Sequence, residues 1–414
     1  MKVSFTLLIF LLYTSCLLSQ PVVKTGIDLL AEHDFSDIWG KRVILFTNST
    51  GRYYDGTLTA ELLAKSEYVN LVSIITPEHG FYASVPAGEK VENDRLFGIP
   101  VYSLYSDIRK PGSKILADGD IILVDIQDIG VRSYTYISTL FRIMQAAAEN
   151  NKPVLVLDRP NPMGGNNVDG NILEKGMESF VGIIPVTYLH GLTIAELAFM
   201  INNEGWLSEN TGKNLRCDLS IVKMTGYNRS MVWEDTGLMW FPTSPNVPTL
   251  NSARGLAMTG TFGELGFISI GIGTTLPFQL VGNNSIDWGI VCKDLDKSYF
   301  AGISISEQRF LPQTGMHAGK QVNGILLNFY PERENFKPYT AGIQLFQQIR
   351  KLKPELFDLS KVKENSKSMF QKVTGTKDLL NAFFSDVSDE LINTISQRGI
   401  DEFRRMRQKY LLYD

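Results

Sequence analysis

The sequence predicts an α/β protein with a parallel sheet in its first part and a smaller α+β domain after it. Short apolar runs rich in Val, Ile and Leu alternate with longer amphipathic stretches, as in sheets covered by helices on both faces. The chain has 414 residues, which is more than one hydrophobic core usually holds. The stretch WFPTSPNVP, at 240–248, contains three prolines and is typical of an irregular connector. We therefore expect one domain at 22–240 and a second at 250–414.

Four apolar runs in the first domain predict parallel strands, at 41–48, 69–75, 120–125 and 153–158. The stretches 57–65 and 133–151 carry apolar residues at helical spacing and predict crossover helices. This alternation is Rossmann-like. The first strand is followed by TNSTG rather than by the GxGxxG turn that cradles a dinucleotide, so the sequence predicts no such cofactor.

The second domain is predicted to mix strands and helices. Residues 255–282 are rich in Gly and β-forming residues, and further strands are expected around 302–305 and 324–329. Helical patterns close the chain at 341–352 and 389–412.

The N-terminus has the pattern of a secretory signal peptide over residues 1–20. Met1 and Lys2 supply a short positive region, an apolar run covers 5–18, and Ser-Gln-Pro ends it at 19–21. The run is too short for a comfortable transmembrane helix. Tyr13 stands where a lipoprotein signal prefers Leu, so a lipid anchor at Cys16 has weak support. The sequence therefore predicts an exported protein, periplasmic or extracellular.

Composition excludes some partners and says little about others. The net charge is −4 and no long basic block occurs, so nucleic-acid binding has no electrostatic support. Cys217 and Cys292 remain after signal removal, and two isolated cysteines define no disulfide framework. Neither cysteine lies near a His pair with zinc-like spacing, so no metal site is expected.

Polar residues follow all four predicted strands. Asn48, Glu78, Asp125 and Asp158 stand at or just after the strand ends, and ligands of open α/β sheets bind beyond that edge. Such residues also cap helices and close turns in any α/β protein. Four of them on one edge, with His79 beside Glu78, favour a binding site.

The motif TPEHG, at 76–80, offers the best candidate catalytic group. Pro77 and Gly80 fix a tight turn around Glu78, and a carboxyl group held there beside Phe81 is suited to general acid catalysis. A carboxylate that merely binds His79 or the turn is the alternative.

Glu264 is the carboxyl residue within the Gly-rich stretch of the second domain. If the two domains face each other, Glu78 and Glu264 flank one cleft, as the paired carboxyl groups of glycosidases do. Arg132 is suited to bind a substrate carboxylate, although an internal ion pair is the more common outcome for such a residue. His190, just before a capping box at Thr193 and Glu196, fits a substrate contact or a loop support equally well.

The ordered motifs of the chain resemble the exo-β-N-acetylmuramidase (NamZ-type) glycoside hydrolases. The similarity covers about 26–282 and continues more weakly through FLPQTGMHAGKQVNGI. It is carried by these segments: TNSTG, TPEHGF, AGEK, GIPVYSLY, DIQDIGVRSYTYISTL, VLDRPNPMGG, HGLTIAELA, EGW and SPNVPTL. The resemblance implies a cleft between the domains that removes terminal N-acetylmuramic acid from peptidoglycan fragments, with the catalytic Glu at Glu78. Arg132 or His190 is then expected to recognise the lactyl carboxylate of the sugar.

The chain departs from the family pattern at two positions near Glu264. Where the family has Asn and Arg, this chain has Phe267 and Ile272, which removes an amide and a guanidinium from the expected cleft. A site built for a polar group is sensitive to such losses. We therefore keep two functions open: a secreted glycosidase for muramyl or related amino sugars, and a non-catalytic cell-wall glycan-binding protein derived from such enzymes. A glycosidase for another exported sugar is a third.

Overall fold

A seven-stranded sheet forms the centre of the first part of the protein. The structure is a computed structural model that describes residues 23–414 except 209, 210, 331 and 333. The predicted signal peptide, residues 1–20, lies outside the described residues. The strands are β1 (Arg42–Thr47), β2 (Asn70–Thr76), β3 (Asp94–Leu96), β4 (Ile99–Ser103), β5 (Ile121–Asp125), β6 (Val154–Leu157), β7 (Asp169–Ile172), β8 (Thr187–Leu189), β9 (Leu219–Val222), β10 (Leu280–Gly282), β11 (Ile303–Phe310) and β12 (Val322–Phe329).

The order of strands in this sheet is β3-β4-β2-β1-β5-β6-β9, and only β3 runs antiparallel to its neighbour. Successive residues of β1 face opposite sides, with Ile44 and Phe46 in one apolar cluster and Val43 and Leu45 in another. Both faces are therefore covered, which confirms the prediction of a buried parallel sheet. The other sheets are the antiparallel pair β7-β8 and the antiparallel sheet β10-β12-β11.

Helices cover the sheets and build most of the second part. They are α1 (Gly26–Glu32), α2 (Thr59–Lys65), α3 (Ser113–Ala117), α4 (Tyr136–Glu149), α5 (Ile194–Asn203), α6 (Leu250–Gly263), α7 (Trp288–Asp294), α8 (Pro338–Leu352), α9 (Glu364–Thr374), α10 (Asp378–Phe383), α11 (Asp389–Ser396) and α12 (Ile400–Arg407). No helix within the described part of the chain is long and apolar enough to cross a membrane.

Two predicted elements of the second part differ from the structure. The Gly-rich stretch after 250 begins as helix α6, capped by the side chain of Thr249, which accepts a hydrogen bond from the amide of Ser252. The helix expected over 389–412 is two helices, because Gly399 adopts a φ of +81° between them.

The last residues of the chain return to the first part. The hydroxyl of Tyr413 donates to Asp158 (2.6 Å), and the amide of Leu412 donates to Glu196 (2.8 Å). One apolar cluster also contains Tyr188 and Tyr339, from either side of the connector. The two parts therefore share a core, and the domain boundaries at 240 and 250 stay a prediction.

Candidate functional site

A cleft of about 530 Å³ lies between the two parts of the protein. Loops at the carboxyl edge of the parallel sheet form one wall, and helix α6 with the loop that follows it forms the other. The polar and charged residues of its lining are Glu78, His79, Tyr105, Ser133, Tyr134, Thr135, Tyr188, Ser244, Asn246, Glu264 and Ser269. The structure thus brings together three of the predicted site residues: Glu78, His79 and Glu264.

The turn after β2 positions Glu78 and His79. The amide of Gly80 donates to the carbonyl of Pro77 (3.3 Å), and His79 has a φ of +71°. A side chain in this left-handed region costs roughly 1–2 kcal/mol, so the turn is strained at the cleft. Its strain is offset by the amides of Ser84 and Val85, which both donate to the carbonyl of His79 (3.0 and 3.2 Å).

Three donors converge on the carboxylate of Glu78. The amide of Gly88 donates to Oε1 (2.9 Å) and the hydroxyl of Thr135 donates to Oε2 (2.7 Å). The phenol of Tyr105 also bonds Glu78, and burial, together with this carboxylate, raises the pKa of Tyr105 to about 12. Glu78 is 5% exposed and still lines the cleft, so it faces the cavity from a fixed orientation.

The ring of His79 is held as a hydrogen-bond acceptor toward the cleft. Its Nδ1 lies 2.8 Å from the carbonyl of Val85, which can only accept, so Nδ1 carries the proton. Burial lowers the pKa of His79, although the carbonyl of Val85 and the charge of Glu78 oppose this. The imidazole is therefore neutral at pH 7, and Nε2 is free to accept from a hydroxyl or an amide N–H.

Glu264 lies on the opposite wall in a different environment. It caps the carboxyl end of α6 and is half-buried, and no described residue hydrogen-bonds its carboxyl group. Burial raises the pKa of Glu264. The cleft therefore contains one carboxyl group fixed by donors and one that is desolvated without them.

The other predicted residues of the strand edge lie beneath the cleft and do not line it. Asn48, Asp125 and Asp158 are fully buried. Asn48 donates to the hydroxyl of Tyr136 (2.7 Å), and Asp125 forms an ion pair with Arg159 (2.6 Å). Asp158 accepts from the amide of Ala195 (3.0 Å) and the hydroxyls of Thr193 (2.8 Å) and Tyr413 (2.6 Å). These contacts engage their polar atoms in holding the loops together, which favours a structural role over the predicted substrate binding.

Arg132 is also internal. It is 1% exposed and donates to the backbone carbonyls of Asn171 (2.7 Å), Val186 (2.8 Å) and Thr374 (2.7 Å). A fourth bond goes to the carbonyl of Val373 (3.3 Å). The guanidinium therefore caps the carboxyl end of α9 and clamps the two parts, and a substrate carboxylate cannot reach it.

His190 follows β8 and precedes the capping box of α5, as predicted. It is fully buried, and its Nδ1 accepts from the amide of Leu192 (3.1 Å). Burial and the positive charges of Arg407, Arg132 and Arg229 lower the pKa of His190 to about 3. Of the two roles left open by the sequence, the contacts favour support of the loop.

The two departures from the family pattern have different surroundings. Ile272 lines the cleft, so the guanidinium that the resemblance leads us to expect at this position would belong to the site itself. Phe267 packs against the rings of Phe357 (5.2 Å between centroids), Phe346 (6.4 Å) and Phe384 (6.5 Å). That departure belongs to an aromatic cluster of the second part.

Sequence reasoning missed two groups that fix Glu78. Tyr105 stands two residues after β4, as Glu78 stands two residues after β2, so the strand-edge rule could have found it. Thr135 carried no signal, because the loop between β5 and α4 brings it to Glu78 from 57 residues away. Among the described residues, no three His, Cys, Asp or Glu side chains are grouped to hold a metal ion.

Comparison with known proteins shows that the chain matches a protein family over both of its parts. The family described as "Exo-beta-N-acetylmuramidase NamZ, N-terminal" matches residues 43–251, and its C-terminal counterpart matches 256–413. The peptidoglycan beta-N-acetylmuramidase NamZ of Bacillus subtilis is 35% identical over 95% of this chain and 92% of its own length. A crystal structure of a DUF1343 family protein from Bacteroides fragilis has a TM-score of 0.87 and 37% identity, and covers 95% of this chain and 99% of that one.

A second DUF1343 family protein from the same organism has a TM-score of 0.74 and 28% identity, with the same coverage of both chains. The sequence matches span both parts of the protein, including the walls that carry Glu78 and Glu264. The chain therefore belongs to the NamZ family of exo-beta-N-acetylmuramidases, which are glycoside hydrolases.

Proposed function

We propose that this protein is an exported glycosidase that removes terminal N-acetylmuramic acid, or a related amino sugar, from peptidoglycan fragments. The observation that carries the proposal is the pair of carboxyl groups, Glu78 and Glu264, on opposite walls of one cleft. Most glycosidases hydrolyse their substrate with such a pair. The B. subtilis relative is named for this activity on peptidoglycan. Export rests on the signal-peptide pattern at 1–20.

The two carboxyl groups have different surroundings, which suit them to different roles in hydrolysis. Burial raises the pKa of Glu264, which favours the protonated form that a general acid needs at the leaving oxygen of the glycosidic bond. Glu78 is oriented by its hydrogen-bond donors toward the cleft and is assigned to stabilise the positive charge that develops at the anomeric carbon. The sequence suggested Glu78 as the general acid. The contacts favour the opposite division, with Glu264 as the acid.

His79 and the cleft hydroxyls orient the sugar. The free Nε2 of His79 accepts from a ring hydroxyl or from the acetamido N–H, and Asn246 and Ser244 offer further donors and acceptors. Since Arg132 and His190 lie beneath the surface, they do not recognise the lactyl carboxylate. No Lys or Arg is among the described residues that line the cleft, and the guanidinium of Arg109 stacks on the lining residue Tyr105, 3.5 Å from its ring centre.

A leaving-group comparison tests the division of roles. We expect Glu264→Gln to reduce hydrolysis of a muramyl disaccharide by about 10²–10⁴-fold, the range for loss of general acid catalysis. The same variant should lose much less on 4-nitrophenyl β-N-acetylmuramide, because nitrophenolate leaves without a proton. Glu78→Gln should lose activity on both substrates alike. Glu307→Gln, an exposed carboxylate in the second part, serves as the control.

The opposite pattern, with the nitrophenyl substrate rescuing Glu78→Gln, would return the acid to Glu78. Equal activity of all variants would remove both residues from the mechanism. The mass of the exported chain checks cleavage near residue 20.

Ile272 favours a second candidate function, a glycan-binding protein without activity. Its apolar side chain lies in the cleft, where the resemblance leads us to expect a guanidinium. Calorimetry with N-acetylmuramic acid distinguishes the two: saturable binding without release from either substrate would establish the binding protein and exclude the enzyme.

A further inference from the structure

A second cavity, of about 240 Å³, lies at the carboxyl edge of the sheet and shares no lining residue with the cleft. Thr50 lines it three residues after β1, Gln127 two residues after β5, and Arg159 two residues after β6. We call it the switch cavity, because it lies where the strand order changes direction, between β1 and β5. Asp28, Arg52, Asp55, Trp233, Met239 and Phe241 also line it.

The topology of the sheet makes this position a natural binding site. From β1 the chain moves outward through β2 on one side, and it later returns to add β5 and β6 on the other side. The connections from β1 and β5 therefore diverge and leave a crevice between their carboxyl ends. Ligands of open α/β sheets bind in such crevices.

Two guanidinium groups meet at the switch cavity. Arg159 is paired with Asp125 through Nε and Nη2, and its Nη2 also donates to the carbonyl of Arg52 (2.7 Å). Arg52 donates through Nε to Ser49 (2.8 Å) and through Nη1 to Gly56 (2.6 Å). Nη1 of Arg159 and Nη2 of Arg52 donate to no described residue. Burial and the charge of Arg159 lower the pKa of Arg52, as expected where two guanidinium groups are neighbours.

A buried side-chain oxygen of Gln127 has no hydrogen-bond donor among the described residues, which sets a second requirement for a ligand of this cavity. Gln127 is 5% exposed, and its Nε2 donates to the carbonyls of Asp128 (2.8 Å) and Pro160 (2.9 Å). Its Oε1 is buried with no hydrogen-bond donor among the described residues. A buried acceptor without a donor costs about 1–3 kcal/mol, so a ligand N–H or O–H there would be favourable.

The apolar walls and the acidic residues of the cavity restrict the class of ligand further. Trp233, Met239 and Phe241 offer apolar faces, and the guanidinium of Arg52 lies 4.2 Å from the ring centre of Phe241. Asp28 and Asp55 also line the cavity, which disfavours a dianion such as phosphate. The volume is below the roughly 300–1,000 Å³ of pockets for drug-sized ligands, so an oligosaccharide does not fit.

We propose that the switch cavity binds a small organic monocarboxylate that also carries an N–H or O–H donor, such as an N-acylated amino acid. The carboxylate lies between Arg52 and Arg159, the donor faces Oε1 of Gln127, and the remainder packs on Trp233 and Phe241. This site is separate from the proposed glycosidase cleft and does not depend on it.

Calorimetry with N-acetyl-L-alanine tests the proposal on the full mature chain. We expect saturable binding to the wild type and at least about tenfold weaker binding to Arg52→Gln. Arg52→Lys should have an intermediate affinity, because it keeps the charge but loses the planar pair of N–H donors of the guanidinium. Gln127→Met, which preserves volume and removes Oε1, should weaken binding comparably. Arg95→Gln, at an exposed arginine that bonds the carbonyl of Gly98, is the matched control. Thermal melts check that each variant is folded.

Two cross-controls separate this site from the cleft. Arg52→Gln should leave hydrolysis of the nitrophenyl muramide unchanged, and Glu264→Gln should bind N-acetyl-L-alanine as the wild type does. Binding lost in Glu264→Gln but kept in Arg52→Gln would place the ligand in the cleft and overturn the proposal. Equal affinity for the neutral N-acetyl-L-alanine amide, tighter binding of inorganic phosphate, or no binding to the wild type would also overturn it.

Discussion

The buried carboxyl group of Asp128 should make the stability of this protein fall as the pH rises. Asp128 lies in the loop between β5 and α4, between Gln127 of the switch cavity and the cleft residues 133–135. Oδ2 accepts from the amide of Gly130 (2.7 Å), whereas Oδ1 has no partner among the described residues. Burial raises the pKa of Asp128 from 3.8 to about 7, and backbone bonds from Gly130 and Ile129 oppose the shift.

The direction of the pH dependence follows from the pH at which Asp128 loses its proton in the folded and in the unfolded state. Below the unfolded value of 3.8, both states are protonated and Asp128 contributes no pH dependence. Between 3.8 and about 7 the unfolded chain is ionised while the folded protein keeps its proton, so the free energy of unfolding falls with rising pH. At about 1.4 kcal/mol per pH unit, the full loss is about 4 kcal/mol, of which about 3 kcal/mol falls above pH 5.

Asp128→Asn removes this dependence and keeps the acceptor for Gly130. Urea unfolding, followed by tryptophan fluorescence at pH 5 and pH 9 and constant ionic strength, measures both proteins. The variant should gain about 3 kcal/mol over the wild type between the two pH values. Comparing the two pH values cancels the cost of the unpaired amide group, which is the same at both. A stability difference between the two proteins that does not change with pH would refute the reasoning.

Three further predictions concern Ile272, Phe267 and Arg132. Ile272→Arg restores a guanidinium to the lining and should raise kcat/KM for the muramide by about tenfold, whereas Phe267→Asn should leave activity per folded molecule unchanged and lower the free energy of unfolding by about 2–4 kcal/mol. Steady-state kinetics and urea unfolding measure both variants. A change of activity in Phe267→Asn together with a loss of stability in Ile272→Arg would contradict the surroundings described for the two residues. Arg132→Leu should destabilise the fold by about 3–5 kcal/mol, because four backbone carbonyls each lose a buried charged donor, and among the described residues only those of Val186 and Thr374 keep a second donor, from Leu173 and Asn171. Melting temperatures against an Arg95→Leu control test this, and a small loss would show that Arg132 is not the clamp.

The elements of the first part were predictable because their signal is local. Val, Ile and Leu in short runs locate β1, β2, β5 and β6 within one or two residues, since burial on both faces demands that composition. The capping box at Thr193 and Glu196 located the start of α5 for the same reason.

Helix α6 was missed because its glycines serve contacts that the sequence does not show. A Cβ at Gly255 would lie 2.6 Å from the carbonyl oxygen of Phe278, and one at Gly263 would lie 2.3 Å from the side chain of Ile270. These glycines allow close packing within a helix, whereas glycine in a sequence suggests turns and bulges.

The strand-edge rule located the site and could not say which residues face it. Asn48, Asp125 and Asp158 stand at the right edge, but their partners come from 88, 34 and 255 residues away along the chain. Whether a polar side chain at that edge faces a ligand or the interior depends on such distant partners. Glu78 differs because a strained turn and the loop at Gly88 hold it at the surface of the cleft.

The residues beneath the cleft connect its geometry to the connector between the two parts. Thr135, which donates to Glu78, lies between Tyr134 and Tyr136, and both of these hydroxyls bond Thr243 in the connector. Asn48 in turn donates to Tyr136 (2.7 Å). A movement of the connector, which leads directly into α6 and Glu264, therefore shifts the donor that fixes Glu78. This network joins the two walls of the cleft, and Asn48 belongs to it without lining the cleft itself.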